Sequence, residues 1–175
     1  SNAIIVNQCN KTATYDEIHN GYEIHWYSFA ERGVGLSRNN ALMRAKADIV
    51  LFADDDVIYI DNYKEIIINE FARLPDADAI IFNIISNDQE RPEFLNSQVH
   101  RLHFFNCLRY GAVRIAVRLE KLRKNNIFFH LLFGGGALYS SGEDSIFLID
   151  CLKHGLKIYA SNQSIGAMYY RESSW

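Results

Sequence analysis

Proline, cysteine and long apolar runs are all scarce in this sequence. Its 175 residues include two prolines and three cysteines, Cys9, Cys107 and Cys151. Cysteines that are odd in number and widely spaced match no zinc pattern and indicate reduced thiols. No run approaches the roughly 20 apolar residues of a membrane span, and no secretory signal is visible. We therefore expect no transmembrane segment and a cytoplasmic location, which includes the inner face of the membrane.

A surplus of positive charge is also missing. The net charge is −3, with 18 Lys and Arg against 21 Asp and Glu. Binding to the phosphates of nucleic acid requires an excess of basic side chains, so we expect no nucleic acid partner. Hydrophobic residues make up 49% of the chain, enough for the core of one globular domain. Residues 1–3 look like the remnant of an expression tag, which leaves 4–175 as that domain.

The apolar residues predict strands that alternate with helices. Continuous or alternating apolar runs predict strands over residues 3–7, 22–29, 48–53, 78–85, 112–118 and 156–161. Helical spacing predicts helices over 37–47, 62–74, 119–125 and 143–155, and glycines predict a loop over 134–142. Residues 86–111 show no clear pattern. The alternation is typical of an α/β sheet covered by helices, in which ligands lie beyond the carboxyl ends of the strands.

Three consecutive carboxylates follow the apolar run at 48–53 directly. Asp54, Asp55 and Asp56 repel one another unless a partner offsets their charge. Hard oxygen ligands at alternate positions suit Mg²⁺ or Mn²⁺, which commonly bind one or two carboxylates together with substrate phosphates. The alternatives are a solvated turn and an acidic cap on the next helix, and the pattern alone leaves all three open.

Two further stretches carry residue types that fit an active site. In "RGVGLSRNNAL" (32–42), glycines and Arg38 precede a helix, an arrangement that can bind an anion at the helix N-terminus. Arg38 can pair with a phosphate or with the acidic cluster. In "SSGEDSIF" (140–147), Glu143 and Asp144 start another helix, where they either complement its dipole or accept a proton from an attacking hydroxyl.

These stretches, in this order, resemble the inverting family 2 glycosyltransferases of the GT-A fold. "GVGLSRNNAL" resembles the family's Gly-x-x-x-x-Arg-Asn segment, and "IVLFADDDV" its strand that ends in Asp-x-Asp. "FGGGALYSSGEDSIFLIDCLKHGLKIY" resembles its acceptor loop, its Glu-Asp segment and the helix and strand that follow. The resemblance implies an α/β, GT-A-like (Rossmann-like) fold with a mixed, mainly parallel sheet covered by helices on both faces.

The resemblance also implies the chemistry and the residues of the site. Asp144 would be the general base, with Glu143 beside it, and Asp56 with Asp54 would hold a divalent ion, Mn²⁺ or Mg²⁺, on the donor diphosphate. The donor would be a nucleotide sugar, with a UDP-sugar favoured, and the acceptor a glycan or a lipid-linked molecule, as in surface polysaccharide assembly. The implied donor-binding residues are Asn7, Gln8, Arg38, Asn39, Asp54 and Asp56, and the acceptor loop contains Gly135, Gly136 and Tyr139.

The match departs from the family pattern at both ends. The first strand aligns with the family's second, and Asn7 and Gln8 stand where the family has acids that hold uridine and ribose. We therefore expect that the first β-α unit is missing, that the sheet is incomplete at its N-terminus, and that an exposed edge promotes self-association. The late stretch "GAMYYRESSW" lacks the family's metal-binding His.

Two other functions compete with sugar transfer. A truncated or non-catalytic domain with a binding or assembly role fits the missing unit. A nucleotidyltransferase would also use Mg²⁺, but it needs a glycine-rich loop close to the first strand, and "VNQCNKTAT" has no glycine.

Overall fold

The computed structural model describes residues 2–86 and 94–169, which form two sheets and the helices packed against them. The strands are β1 (Ala3–Gln8), β2 (Ala13–His19), β3 (Tyr22–Phe29), β4 (Ile49–Leu51), β5 (Val57–Tyr59), β6 (Ala79–Ser86), β7 (His100–Arg101), β8 (Ile115–Arg118) and β9 (Ile158–Met168). The helices are α1 (Val34–Arg44), α2 (Tyr63–Arg73), α3 (Leu119–Lys124) and α4 (Glu143–Lys153), and one 3₁₀ turn spans Ala112–Arg114.

The smaller sheet has the order β1-β3-β2. Strand β1 pairs with β3 in parallel, and β2 pairs with β3 as an antiparallel hairpin. The hairpin turn is Asn20-Gly21, and both residues have positive φ, 49° and 79°. An Asn-Gly pair between alternating runs is a strong hairpin signal, because two-residue turns of this twist need positive φ at both positions. The sequence prediction missed β2, although this signal was present.

The larger sheet has the order β4-β8-β6-β9-β5, with β7 also paired to β9. Its mixed character and the α/β architecture are confirmed. The expectation of mainly parallel pairing is wrong for the described residues, where two of the seven strand pairings are parallel. Strand β8 causes part of this difference, because it runs antiparallel between β4 and β6. Apolar periodicity reports which residues are buried and carries no information on strand direction.

Helices cover both faces of the larger sheet, as expected. Along β6, Ile81 faces the core that contains α1, α3 and α4, whereas Ile80 and Phe82 face the core that contains α2. Successive strand residues point to opposite faces, so the continuous apolar run on β6 contributes side chains to two separate cores. Strand β6 therefore lies at the centre of the domain, with a core on each face. The candidate site lies at the ends of the neighbouring strands.

The structure shifts several predicted boundaries. Helix α1 begins at Val34 rather than at residue 37, and β9 continues to Met168 rather than ending at 161. The 112–118 segment divides into a 3₁₀ turn and the short strand β8. Within the two described ranges, no helix is long and apolar enough to cross a membrane. Self-association stays a prediction.

Candidate active site

The three aspartates form the connection between β4 and β5. The backbone oxygen of Asp54 accepts a hydrogen bond from the Val57 N–H at 3.4 Å, and the Asp56 oxygen accepts one from the Tyr169 N–H at 3.0 Å. Asp54 and Asp55 are exposed and Asp56 is half-buried. The backbone of this stretch therefore forms a turn that leaves the Asp54 carboxylate open to other groups, and metal binding by Asp54 and Asp56 stays a prediction.

Burial and the neighbouring charge of Asp54 raise the pKa of Tyr59, the last residue of β5. The Tyr59 hydroxyl donates a hydrogen bond to the Phe52 carbonyl at 3.2 Å. Tyr59 therefore stays neutral beside the aspartates and ties β5 to the end of β4.

Arg38 on α1 joins the aspartate turn to the start of α4. Its Nη1 lies 2.6 Å from Asp144 Oδ1 and 3.6 Å from Glu143 Oε1, and its Nη2 lies 3.3 Å from both oxygens of Asp54. The Arg38 side chain is only 10% exposed, so these charges interact in surroundings that screen them weakly. Of the two predicted partners for Arg38, phosphate or the acidic cluster, the structure shows the acidic cluster.

The Arg38 guanidinium lies over an aromatic platform that the sequence analysis did not identify. Its central carbon is 5.2 Å from the centre of the Phe129 ring, which stacks on Phe147 of α4 at 4.2 Å. Phe52 packs edge-on against both rings. Cations over aromatic faces are attracted by the ring quadrupole, so the platform holds the guanidinium in place between the carboxylates.

Asn39 fixes the backbone of this platform. Its Oδ1 accepts a hydrogen bond from the Phe129 N–H at 2.8 Å, and its Nδ2 donates to the Phe129 carbonyl at 2.9 Å. The side chain is buried. These contacts give Asn39 a structural role across 90 residues of sequence, and its direct contact with a donor stays a prediction.

Both carboxylate oxygens of Asp144 accept hydrogen bonds. Oδ1 accepts from Arg38, and Oδ2 accepts from the Ala112 backbone N–H at 3.0 Å. Ala112 opens the 3₁₀ turn that leads into β8. Two donors from different elements fix the orientation of the carboxylate, and a backbone donor of this kind leaves no signature in the sequence.

Glu143 differs from its neighbour in environment. Its side chain is 14% exposed, and burial raises its pKa, with the charges of Asp144 and Asp54 adding to the effect and Arg38 opposing it. Neither Glu143 nor Asp144 caps the helix, since the N-cap residue of α4 is Gly142 and no side-chain cap is formed. Adjacent carboxylates in unlike environments are typical of acid–base sites.

The glycine-rich loop lies between the starts of α1 and α4. The Gly135 carbonyl accepts a hydrogen bond from the Val34 N–H at 2.9 Å, and the Gly134 N–H donates to the Tyr139 carbonyl at 2.8 Å. The half-exposed Tyr139 ring stacks on Phe133 at 4.9 Å. The loop thus adjoins the start of α4, and Gly134, which was not among the predicted residues, packs against Val34 and Glu143.

We expect Gly134→Ala to lower stability more than an ordinary glycine substitution. Gly134 has a φ of 102°, and a Cβ there would lie 2.5 Å from Val34 Cγ1 and 2.8 Å from Glu143 Cδ. Overpacking of this kind costs about 1–3 kcal/mol. The matched control is Gly155→Ala, where φ is also positive but the space is open. Urea denaturation of both variants measures the difference, and equal losses would show that the crowding is relieved.

The Gln8 side chain, at the end of β1, forms hydrogen bonds with residues at the start of α1. Its Oε1 accepts a hydrogen bond from the Gly33 N–H at 2.9 Å, and its Nε2 donates to the Gly33 carbonyl and to Ser37 Oγ. These bonds fix the entry to α1 and explain why the helix starts earlier than predicted. Asn7 beside it is exposed. Contacts of Asn7 and Gln8 with a nucleotide base stay predictions.

The family model described as glycosyl transferase family 2 matches residues 2–138. The chain belongs to glycosyl transferase family 2. The matched range includes Arg38 and the aspartate turn, while Glu143 and Asp144 follow it.

Solved structures support the same fold for this family 2 chain. The crystal structure of S. aureus TarS 1-349 in complex with UDP-GlcNAc aligns with a TM-score of 0.71 and 18% identity, over 89% of this chain and 44% of that one. A second crystal structure of S. aureus TarS 1-349 aligns with the same TM-score at 17% identity, over 86% and 44% of the two chains. The family 2 chain therefore spans less than half the length of these structures. A comparison with curated proteins finds no match.

The carboxylates of the aspartate turn fit a divalent ion only if substrate or water supplies further ligands. Across residues 2–86 and 94–169, no group of three or more His, Cys, Asp or Glu side chains is arranged to hold a metal. Asp54 and Asp56 supply hard carboxylate oxygens, and Mg²⁺ commonly takes one or two of these and completes its shell with phosphate and water. Met168, in the late stretch that lacks the family His, pairs with Val57 just after the turn. The remainder of that stretch, from residue 170, lies outside the described residues.

Proposed function

We propose that this family 2 domain transfers a sugar from a nucleotide-diphosphate sugar to a glycan or lipid-linked acceptor, with inversion at the anomeric carbon. The observation that carries the proposal is the bridge formed by Arg38. It brings Asp54, at the aspartate turn, together with Glu143 and Asp144, from the other end of the chain. The groups proposed to bind the donor and to accept the proton thus lie within reach of one guanidinium.

On the donor side, Asp56 and Asp54 would hold a divalent ion, Mn²⁺ or Mg²⁺. When bound, that ion would neutralise charge on the leaving diphosphate. Arg38 is the nearby cation and can exchange its contact with Asp54 for a phosphate oxygen, because the two Asp54 contacts, at 3.3 Å, are longer than its 2.6 Å bond to Asp144. A UDP-sugar is the favoured donor, in keeping with the UDP-GlcNAc bound to the similar TarS structure.

On the acceptor side, Asp144 would accept the proton of the attacking hydroxyl. The hydroxyl oxygen bonds to the anomeric carbon while the bond from that carbon to the diphosphate oxygen breaks, in a single in-line step. Arg38 and the Ala112 N–H hold the Asp144 carboxylate in one orientation, and such positioning lowers the barrier. Gly135, Gly136 and Tyr139 would border the acceptor, with the exposed Tyr139 ring available to pack on a sugar face.

A truncated or non-catalytic domain is the second candidate. It is favoured by the lengths of the similar TarS structures, of which the chain covers 44%. Such a domain would bind donor without turnover, so binding and turnover assays separate the two functions.

Thermal denaturation with UDP-sugars, with and without Mn²⁺, tests donor binding. At a donor concentration of about 100 Kd, we expect the midpoint to rise by roughly 5–10 °C when Mn²⁺ is present. Asp56→Ala should remove most of this rise because it removes a proposed metal ligand. The exposed neighbour Asp55 provides the control, and Asp55→Ala should keep the wild-type shift. An equal rise in the presence of a chelator would contradict the metal site.

A further inference from the structure

The segment from residue 94 to residue 142 differs in charge from the rest of the chain. It contains seven Lys and Arg side chains and one acidic residue, Glu120, although the whole chain has a net charge of −3. Lys121 is paired with Asp78, and Arg118 and Arg123 donate to backbone carbonyls, so the charge that can meet an anionic partner is that of Arg101 and Arg109. Two loops of this segment border the candidate active site, the loop 103–109 and the glycine-rich loop.

The loop 103–109, here called the Phe-Phe loop, presents apolar side chains to solvent. Phe105 is 99% exposed, and Phe104 and Leu108 are about half exposed. Arg101 and Arg109, which flank these residues, are exposed as well. Adjacent exposed aromatic side chains are costly in water and mark an interaction surface.

The Phe-Phe loop is held in a defined turn. The His103 N–H donates to Asn106 Oδ1 at 2.7 Å, and the Asn106 N–H donates back to the His103 carbonyl at 3.1 Å. Leu102 and Cys107 are buried and anchor the loop to the core. Because the turn is already ordered, binding through its tip loses little conformational entropy.

The Phe-Phe loop adjoins the first turn of α4. Ser145 Oγ donates a hydrogen bond to the Leu108 carbonyl at 3.4 Å, one residue after Asp144. On the other side of the same turn, the glycine-rich loop contacts Glu143 and exposes Leu138. Both loops therefore contact the start of α4 and expose apolar side chains.

We propose that the Phe-Phe loop inserts into the surface of an anionic lipid bilayer. Aromatic side chains beside basic ones are the combination that binds the boundary between headgroups and acyl chains, where Arg101 and Arg109 would contact lipid phosphates. The insertion would bring the start of α4 to the membrane, where a lipid-linked acceptor is presented. The link to the acceptor rests on the proposed function, whereas the lipid contact itself does not.

Vesicle flotation tests this inference. The wild-type protein should bind vesicles of equimolar phosphatidylcholine and phosphatidylglycerol more tightly than vesicles of phosphatidylcholine alone. The double variant F104S/F105S should bind the anionic vesicles about tenfold more weakly or worse, since it withdraws two phenylalanines from the interface. The control Ile18→Ser removes a side chain that is 78% exposed on β2 and should bind as the wild type does.

The outcomes separate lipid binding from its alternatives. Equal binding of F104S/F105S and the wild type, or no wild-type binding to anionic vesicles, would overturn the proposal. Sedimentation that shows self-association, abolished by the double variant and without vesicle binding, would instead assign the loop to contact between copies of the chain. The assay contains no donor, so its failure leaves sugar transfer untouched, and loss of donor binding leaves the lipid contact untouched.

Discussion

Asp144→Asn should lower turnover by about 10²- to 10⁴-fold, the usual contribution of a positioned general base, while donor affinity stays close to the wild-type value. The asparagine keeps the shape of the side chain but cannot accept the proton of the acceptor. Its amide can replace only one of the two acceptor oxygens that face Arg38 and the Ala112 N–H. We therefore also expect a stability loss of about 1 kcal/mol. Steady-state kinetics together with donor titration measures both effects.

Two further variants decide which carboxylate accepts the proton. Asp150→Asn lies on the same helix and controls for loss of a negative charge from α4, and its turnover should match the wild type. Glu143→Gln removes the carboxylate whose pKa is raised by burial. If Asp144→Asn keeps turnover within a factor of a few while Glu143→Gln loses it, Glu143 is the base and the assignment to Asp144 is wrong.

Arg38→Ala should lower stability and turnover together. The substitution leaves Asp54, Glu143 and Asp144 without the cation that bridges them. Breaking a buried ion pair costs about 3–5 kcal/mol, and we expect roughly 2–4 kcal/mol here because the Asp54 side chain is 42% exposed and partly screened. Chemical denaturation measures this loss.

The loss caused by Arg38→Ala should depend on pH. Burial and the charges of Asp144 and Asp54 raise the pKa of Glu143 while Arg38 opposes the rise, so without Arg38 that pKa lies further above its value in the unfolded state. Between the unfolded-state pKa and the folded-state pKa, the unfolded chain binds fewer protons than the folded one. The free energy of unfolding therefore falls as pH rises through this range. The difference in free energy of unfolding between the wild type and Arg38→Ala should therefore be largest near neutral pH. It should shrink towards about pH 4, where carboxylates become protonated.

Arg44→Ala provides the matched control on the same helix. Arg44 donates hydrogen bonds to Asn40 and lies over the Tyr27 ring at 4.5 Å. Its loss should lower stability by an amount that does not change between pH 4 and neutral pH. A pH-independent loss in Arg38→Ala as well would show that the guanidinium acts by packing on Phe129 rather than by charge.

Local sequence patterns predicted most of the helices and strands. Strand β3 and helix α2 match their predicted ranges closely, and Glu143 begins a helix as expected. These elements were predictable because burial of one face repeats every two residues in a strand and about every 3.6 in a helix. The aspartates follow β4 as the apolar run predicted, whereas Arg38, which was predicted to precede a helix, lies inside α1 because that helix starts at Val34.

The connections between distant segments were less predictable. By residue type, Arg38 could pair with a phosphate or with the aspartates, and in the folded chain it binds carboxylates from both the β4–β5 turn and α4. The two hydrogen bonds that Asn39 forms with the backbone of Phe129 were also not predicted. The antiparallel insertion of β8 beside β6 was also unforeseen.

The amino-acid sequence by itself determined the family motifs, the α/β alternation and the residue types available for chemistry. Tertiary structure alone decided that Arg38 donates a 2.6 Å hydrogen bond to Asp144, 106 residues away, and that the Ala112 N–H donates to the other oxygen of that carboxylate. The physical reason is that periodicity records which face of an element is buried, whereas contacts between elements depend on how those faces dock. A backbone N–H, present at almost every residue, becomes a specific donor only once the chain has folded around it.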